Sequence, residues 1–154
     1  MTHHLVAGGS GFIGSHLVDL FLSRGDSVTV VDNLLTCRYQ NISHAETDPR
    51  FRFVYHDITN PLPPEITDDW YDTVLDLASP ASPLDFLTLP LEILSVGSTG
   101  TKNLLDLAHR QNAKFFLAST SEVYGDPLIH PQSESYFGNV SCTGPRSCYD
   151  EAIS

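Results

Sequence analysis

GGSGFIG, residues 8–14, lies between an apolar run, His4-Leu5-Val6-Ala7, and a segment with apolar side chains at Phe12, Ile13, Leu17, Leu20 and Phe21. The run reads as a buried strand. The spacing that follows is that of one face of a helix, predicted over 12–23, with Gly25 just past its end in the usual C-cap position. Glycines spaced G-x-x-G-x-x-G at a strand-to-helix turn have separate physical uses. Gly8 permits the tight turn, Gly11 lets a pyrophosphate approach the backbone, and Gly14 lets helix and strand pack closely. The free N–H groups that open the helix, with Phe12 and Ile13 in its first turn, offer a partial positive charge to phosphates. A plain turn is the rival reading, and the flanking sequence weighs against it.

Ser27-Val28-Thr29-Val30-Val31 is rich in β-branched residues and suits a strand buried on both faces, as in parallel sheets. Asp32 ends it, 18 positions after Gly14. A carboxylate there accepts hydrogen bonds from an adenosine ribose diol and repels a 2′-phosphate, which favours NAD over NADP, although Arg38 stands close by as a cation for the latter. Asn33 follows it as a further cofactor candidate. Phe51–Tyr55 is a third strand. Beyond it Asp57 either contacts adenine or caps the turn, with Ile58 beside it. Residues 60–69, with prolines at 61, 63 and 64, are expected to be loop only.

Residues 73–77 form a fourth strand, and Leu77, Ala78 and Ser79 fall at the carboxyl edge, where ligands of open α/β sheets lie. Small residues there leave room for a cofactor, or are ordinary turn residues. From 91 to 110 the residues Leu94, Thr101, Leu105 and Ala108 follow a helical stripe. Gly97 and Gly100 interrupt it and imply close approach by a neighbour. Residues 114–118 are a fifth strand, followed by polar sequence. Alternating strands and helices imply an α/β, doubly wound parallel sheet of Rossmann-like type, order 3-2-1-4-5, in one NAD-binding domain over 1–154. No sequence remains for an element covering the fifth strand. The fold is therefore expected to be incomplete at its C-terminus, with apolar surface exposed and marginal stability or self-association as the result.

The chain has 8 Lys and Arg against 19 Asp and Glu, a net charge of -11, which disfavours nucleic acid and anionic membranes as partners. Cys37, Cys142 and Cys148 form no CxxC pair, so neither disulfides nor a metal site are expected. Nothing at the start resembles an export signal, and no apolar run nears the length of a membrane span, so a cytoplasmic location is expected.

The segments GGSGFIGSHLVDLF, VVDN, HDITNP, LASPASP, LASTSEVYGDPLIHPQSESYFGNV and GPRSCYDEA together resemble the extended short-chain dehydrogenase/reductases acting on nucleotide sugars. Within that family they are most similar to the branch that decarboxylates UDP-glucuronate. The resemblance implies NAD as cofactor, oxidation of the sugar C4 hydroxyl with Tyr149 as base, loss of the C6 carboxylate as carbon dioxide from the 4-ketone, and return of the hydride. Thr120 would be the hydroxyl partner and Glu122 the acidic residue of that site. Ser121, on the substrate side, stands where sugar dehydratases carry aspartate, and a substrate already bearing a carboxylate would be repelled by another anion. The family also carries a lysine at the position of Ile153, which would lower the tyrosine pKa. Its absence, and that of a C-terminal substrate domain, imply a truncated chain with impaired or no turnover. Ala7 and Asp76 depart from the family's usual threonine and histidine. A non-catalytic NAD-binding module, and a 4,6-dehydratase or epimerase, remain as alternatives. Family members commonly form homodimers through helices, one beginning near Tyr149.

Overall fold

Strand residues with neighbours pointing to opposite faces, both apolar, set the architecture of the computed structural model, which describes residues 1–144 and 146–152. Five parallel strands, β1 (His3–Ala7), β2 (Ser27–Asp32), β3 (Phe51–Tyr55), β4 (Thr73–Asp76) and β5 (Lys114–Leu117), lie in the order β3-β2-β1-β4-β5. Ala7 pairs with both Val31 and Asp76, so Gly8, Asp32 and Leu77 all emerge at one edge of the sheet. Leu5, Ala7, Val31 and Val74 point to one face and pack with Leu104, Leu107 and Ala108 of α5 (Thr101–Gln111). Val6, Val28, Val30 and Leu75 point to the other and pack with Val18, Phe21 and Leu22 of α1 (Phe12–Ser23). Near-continuous apolar strands are what a sheet covered on both sides requires.

Helix α1 keeps its predicted bounds because its end is chemically marked. Gly25 has φ +86°, its N–H donates to the Leu22 carbonyl at 3.0 Å, and the Asp26 N–H donates to that of Phe21 at 3.0 Å. This paired closure satisfies the last carbonyls of the helix.

Three elements differ from the sequence expectations. The proline-rich segment is not loop throughout: α2 (Pro64–Thr67) forms a single turn with Pro at its start, where a fixed φ suits the helix and the missing N–H is not needed. Burial of Ile66 beneath it, at 0% exposure, gives that turn its anchor. The helix expected over 91–110 is divided into α4 (Pro90–Ser95), a wide π-type turn (Val96–Gly100) and α5, preceded by the short α3 (Asp85–Thr88). Both glycines fall within that turn, and each has a close neighbour. A Cβ on Gly97 would lie 2.7 Å from that of Ala152, and one on Gly100 would lie 2.9 Å from Ile58 Cγ1. Finally, the polar stretch after β5 contains a 3₁₀ turn (Ser121–Tyr124) and α6 (Ser147–Ala152), whose Tyr149 packs with Phe86 and Ile93 of α3 and α4.

The outer face of β5 is the thinly covered part of the sheet, with Phe116 52% and Leu117 40% exposed. No helix among the described residues is long and apolar enough to cross a membrane.

Candidate functional site

The carboxyl edge of the sheet carries two adjoining cavities that share Gly8, Gly11, Leu77, Ala78 and Ser79 as a common wall. The glycine turn forms the ridge between them. Gly8 has φ +73°, and a Cβ there would lie 2.7 Å from the Leu77 carbonyl oxygen, so the ends of β1 and β4 approach as only glycine allows. A Cβ on Gly14 would meet the Gly9 Cα at 2.7 Å. Helix α1 starts at this ridge with no side chain capping it and no acid in its first turn. Phe12 and Ile13, in that first turn, are exposed and line the larger cavity. Uncapped N–H groups with the helix dipole behind them suit an anionic group.

The smaller cavity, about 280 Å³, is lined by Asp32, Asn33, Asp57 and Ile58. Asp32 is 8% exposed. One of its oxygens accepts the Ser10 N–H at 3.0 Å, and the other accepts the Leu34 N–H at 2.9 Å and the Cys37 thiol at 3.3 Å. Asp32 therefore braces the glycine turn as well as facing the cavity. Asp57 caps its own turn, accepting the Thr59 N–H at 2.9 Å and hydroxyl at 2.7 Å, and the Asn33 amide at 3.2 Å. Burial raises its pKa, but these hydrogen bonds outweigh that and hold it below the usual aspartate value. Burial, together with the Asp32 charge and hydrogen bond, pushes the Cys37 thiol up to about 12.

The larger cavity, about 920 Å³, is lined by Phe12, Ile13, Gly14, Asp76, Thr101, Ser119 and Tyr149. Tyr149 is 8% exposed and stacks on Phe86 with ring centroids 4.7 Å apart. Burial raises its pKa; the Thr120 hydroxyl bond is the main opposing effect, the Glu122 and Asp150 carboxylates add lesser upward pushes, and Arg146 lowers it least. The Thr120 hydroxyl also bonds the Glu122 carboxylate, and this bond, with Arg146, holds Glu122 below the usual range against the opposing effect of burial. Arg146 pairs with Glu122 at 2.8 Å and lies over the Phe86 ring, 5.8 Å from its centroid. Thr120, Glu122 and Tyr149 thus come together, while Ser121 sits exposed at the start of the 3₁₀ turn. Ile153 lies outside the described residues.

Sequence reasoning passed over Cys37 and Arg146, although Arg146 lies inside the quoted GPRSCYDEA segment. Neither has a local pattern of its own: Cys37 acts on Asp32 through a loop, and Arg146 reaches Glu122 across 24 positions. Two polar atoms of the cleft residues, Ser79 Oγ and His56 Nε2, are buried without a hydrogen-bond partner among the described residues. Together with glycines that a Cβ would obstruct, these orphaned atoms fit a ligand that is polar along its length, and the residues present fit a dinucleotide.

A parallel sheet in this order, with an uncapped helix after a glycine turn and an acid ending the second strand, defines a dinucleotide-binding Rossmann-type domain. The family described as "GDP-mannose 4,6 dehydratase" matches residues 5–152, and the chain belongs to this family of nucleotide-sugar epimerases and dehydratases. UDP-glucuronic acid decarboxylase 1 of Arabidopsis thaliana is 49% identical over 147 residues, covering 96% of this chain and 33% of that protein. The Xenopus tropicalis protein of the same name is 48% identical over 147 residues, 96% of this chain and 34% of the relative. The chain thus spans about a third of the length of these relatives. Among solved structures, Bordetella bronchiseptica WbmH in complex with NAD+ superposes with a TM-score of 0.83 at 25% identity, over 99% of this chain and 49% of that one. UDP-N-acetylglucosamine 4-epimerase of Methanobrevibacter ruminantium, in complex with UDP-N-acetylmuramic acid, gives 0.81 at 26% identity over 99% and 48%.

Proposed function

We propose that the chain is the cofactor-binding part of an NAD-dependent enzyme that converts UDP-glucuronate to a UDP-pentose and carbon dioxide. The observation that carries this reading is the continuous cleft running from Asp32, over the glycine ridge, to Tyr149. Bound along it, NAD would supply removal and return of a hydride at the sugar C4.

The chain's own groups divide the work. Asp32 receives the adenosine ribose, and Asn33, Asp57 and Ile58 wall the adenine end. Gly8, Gly11, Gly14 and the first turn of α1 receive the pyrophosphate, with Leu77, Ala78 and Ser79 opposite. Tyr149 takes the C4 hydroxyl proton, and Thr120 holds that hydroxyl in line. The Glu122–Arg146 pair sets the charge beside them, and Ser121 leaves the substrate carboxylate unopposed. Identity of 49% to decarboxylases supports UDP-glucuronate over the substrates of the epimerases.

The raised pKa of Tyr149 supports a narrower reading of the 154 residues taken alone. A phenol held neutral is a poor base, and general acid–base catalysis contributes on the order of 10²–10⁴-fold. The chain by itself is expected to bind NAD and turn over slowly or not at all.

The test is calorimetric titration with NAD, followed by incubation with UDP-glucuronate and NAD and mass analysis of the sugar nucleotide. NAD binding with a UDP-pentose, or with unchanged UDP-glucuronate, agrees with the proposal. A 4-keto-6-deoxy sugar or an epimer would replace the decarboxylase reading, and absence of NAD binding would overturn the proposal as a whole.

A further inference from the structure

Asp76, the last residue of β4, is 2% exposed and yet forms part of the wall of the larger cavity, in company with Thr101, Ala118 and Tyr149. The Thr101 hydroxyl donates to one of its oxygens at 2.8 Å and the Ala78 N–H to the other at 3.2 Å. Two bonds from different elements hold the carboxyl in place at the floor. Burial raises its pKa against those two bonds. The other titratable or charged groups of the same cavity are His16 and Asp19 from α1, Cys37 and Arg38 after β2, Asp85 from α3 and Tyr149 from α6. None of these is among the causes that shift Asp76.

An ionised carboxylate so placed has hydrogen bonds but, among the described residues, no cation that offsets its burial, and a positive charge brought into the cavity would stabilise it. With the adenosine at Asp32 and the pyrophosphate on the glycine ridge, the larger cavity receives the reacting nucleoside. Its nicotinamide ring is positively charged when oxidised and neutral when reduced.

We infer that Asp76 selects the charge state of the bound dinucleotide, favouring the oxidised form over the reduced one. The inference rests on the NAD reading above. Protonation of Asp76 removes the selectivity, so the preference is small in acid and grows as pH rises through the carboxyl's raised pKa. By linkage, the oxidised form releases protons on binding in that interval, and the reduced form, whose ring is neutral, releases fewer.

Dissociation constants for NAD+ and NADH are to be measured on the full 154-residue chain across the whole pH range in which it stays folded, NAD+ by calorimetry in buffers of different ionisation enthalpy and NADH by its fluorescence. The ratio of the NADH to the NAD+ constant is expected to climb on the order of tenfold across that range, as for one charge interaction across a partly screened cleft. Asp76→Asn, nearly isosteric, should flatten the climb while both forms still bind. Thr101→Val, which deletes a bond to the ionised carboxylate, should move the midpoint of the climb to higher pH. A ratio independent of pH in the unaltered chain, or an unchanged climb in Asp76→Asn, overturns the inference and leaves NAD binding standing. Failure of the unaltered chain to bind either form overturns the NAD reading and the inference together.

Discussion

Replacing Asp32 with alanine should damage two properties at once. Its carboxylate accepts the Ser10 N–H at 3.0 Å and the Leu34 N–H at 2.9 Å from a position only 8% exposed. Deleting it strands two backbone donors, each costing roughly 1–3 kcal/mol where water cannot fully replace the acceptor. A net loss of about 2–4 kcal/mol is a large part of a stability of ~5–15 kcal/mol. At about 2–4 °C per kcal/mol for a chain of this size, the midpoint should fall by roughly 5–15 °C. Independently, losing charge-assisted bonds to the ribose, worth about 1.5–3 kcal/mol, should weaken NAD roughly 10- to 100-fold. Thermal unfolding, and calorimetric titration at a temperature where the variant is folded, separate the two effects. An unchanged midpoint would refute the bracing role of Asp32. An unchanged dissociation constant in a folded variant would refute the placement of the ribose.

Three further outcomes are expected. Gly97→Ala places a Cβ 2.7 Å from that of Ala152, so α6 should lift from α4 at a cost of about 1–3 kcal/mol, and hydrogen exchange should speed up over 147–152; unchanged exchange there would refute the close packing. His4 has its pKa lowered chiefly by burial, so on acidification the unfolded chain takes up the proton first. Its contribution is therefore complete above the ordinary histidine pKa and is lost as pH falls through and below it, and His4→Gln should flatten this slope in unfolding experiments over a pH series. Cys37, with its thiol held up to about 12, should alkylate far more slowly near pH 8 than an ordinary exposed thiol, and rapid labelling of Cys37 in peptide maps would contradict its placement against Asp32.

The strands, α1 and the glycine turn were legible in the sequence because each is decided within a short window. Residues 8–14 need glycine where a turn and a close approach coincide, β2 needs apolar side chains on both faces, and α1 ends where Gly25 adopts a left-handed conformation. Topology followed from the alternation of strands with helices, and Asp32 from its fixed place after the second strand. The remainder depended on what packs against what. Ile66 makes a helical turn out of a proline-rich segment, and Ala152 and Ile58 are the close neighbours of the two glycines in the π-type turn between α4 and α5. The turn cap at Asp57 was one of two readings its local sequence offered, but its bond from Asn33, 24 positions away, is set by the fold. Tyr149 is a recognisable residue in a recognisable segment, but its raised pKa comes from Phe86 packing and from carboxylates placed by folding. Asp76 and Thr101 are 25 positions apart, and their bond at the floor of the larger cavity exists only because β4 and α5 share one face of the sheet. Sequence alone determined the local conformations and the kind of ligand they suit. Burial and electrostatics at the site were decided by tertiary structure, because both depend on distances between residues that the chain itself does not hold together.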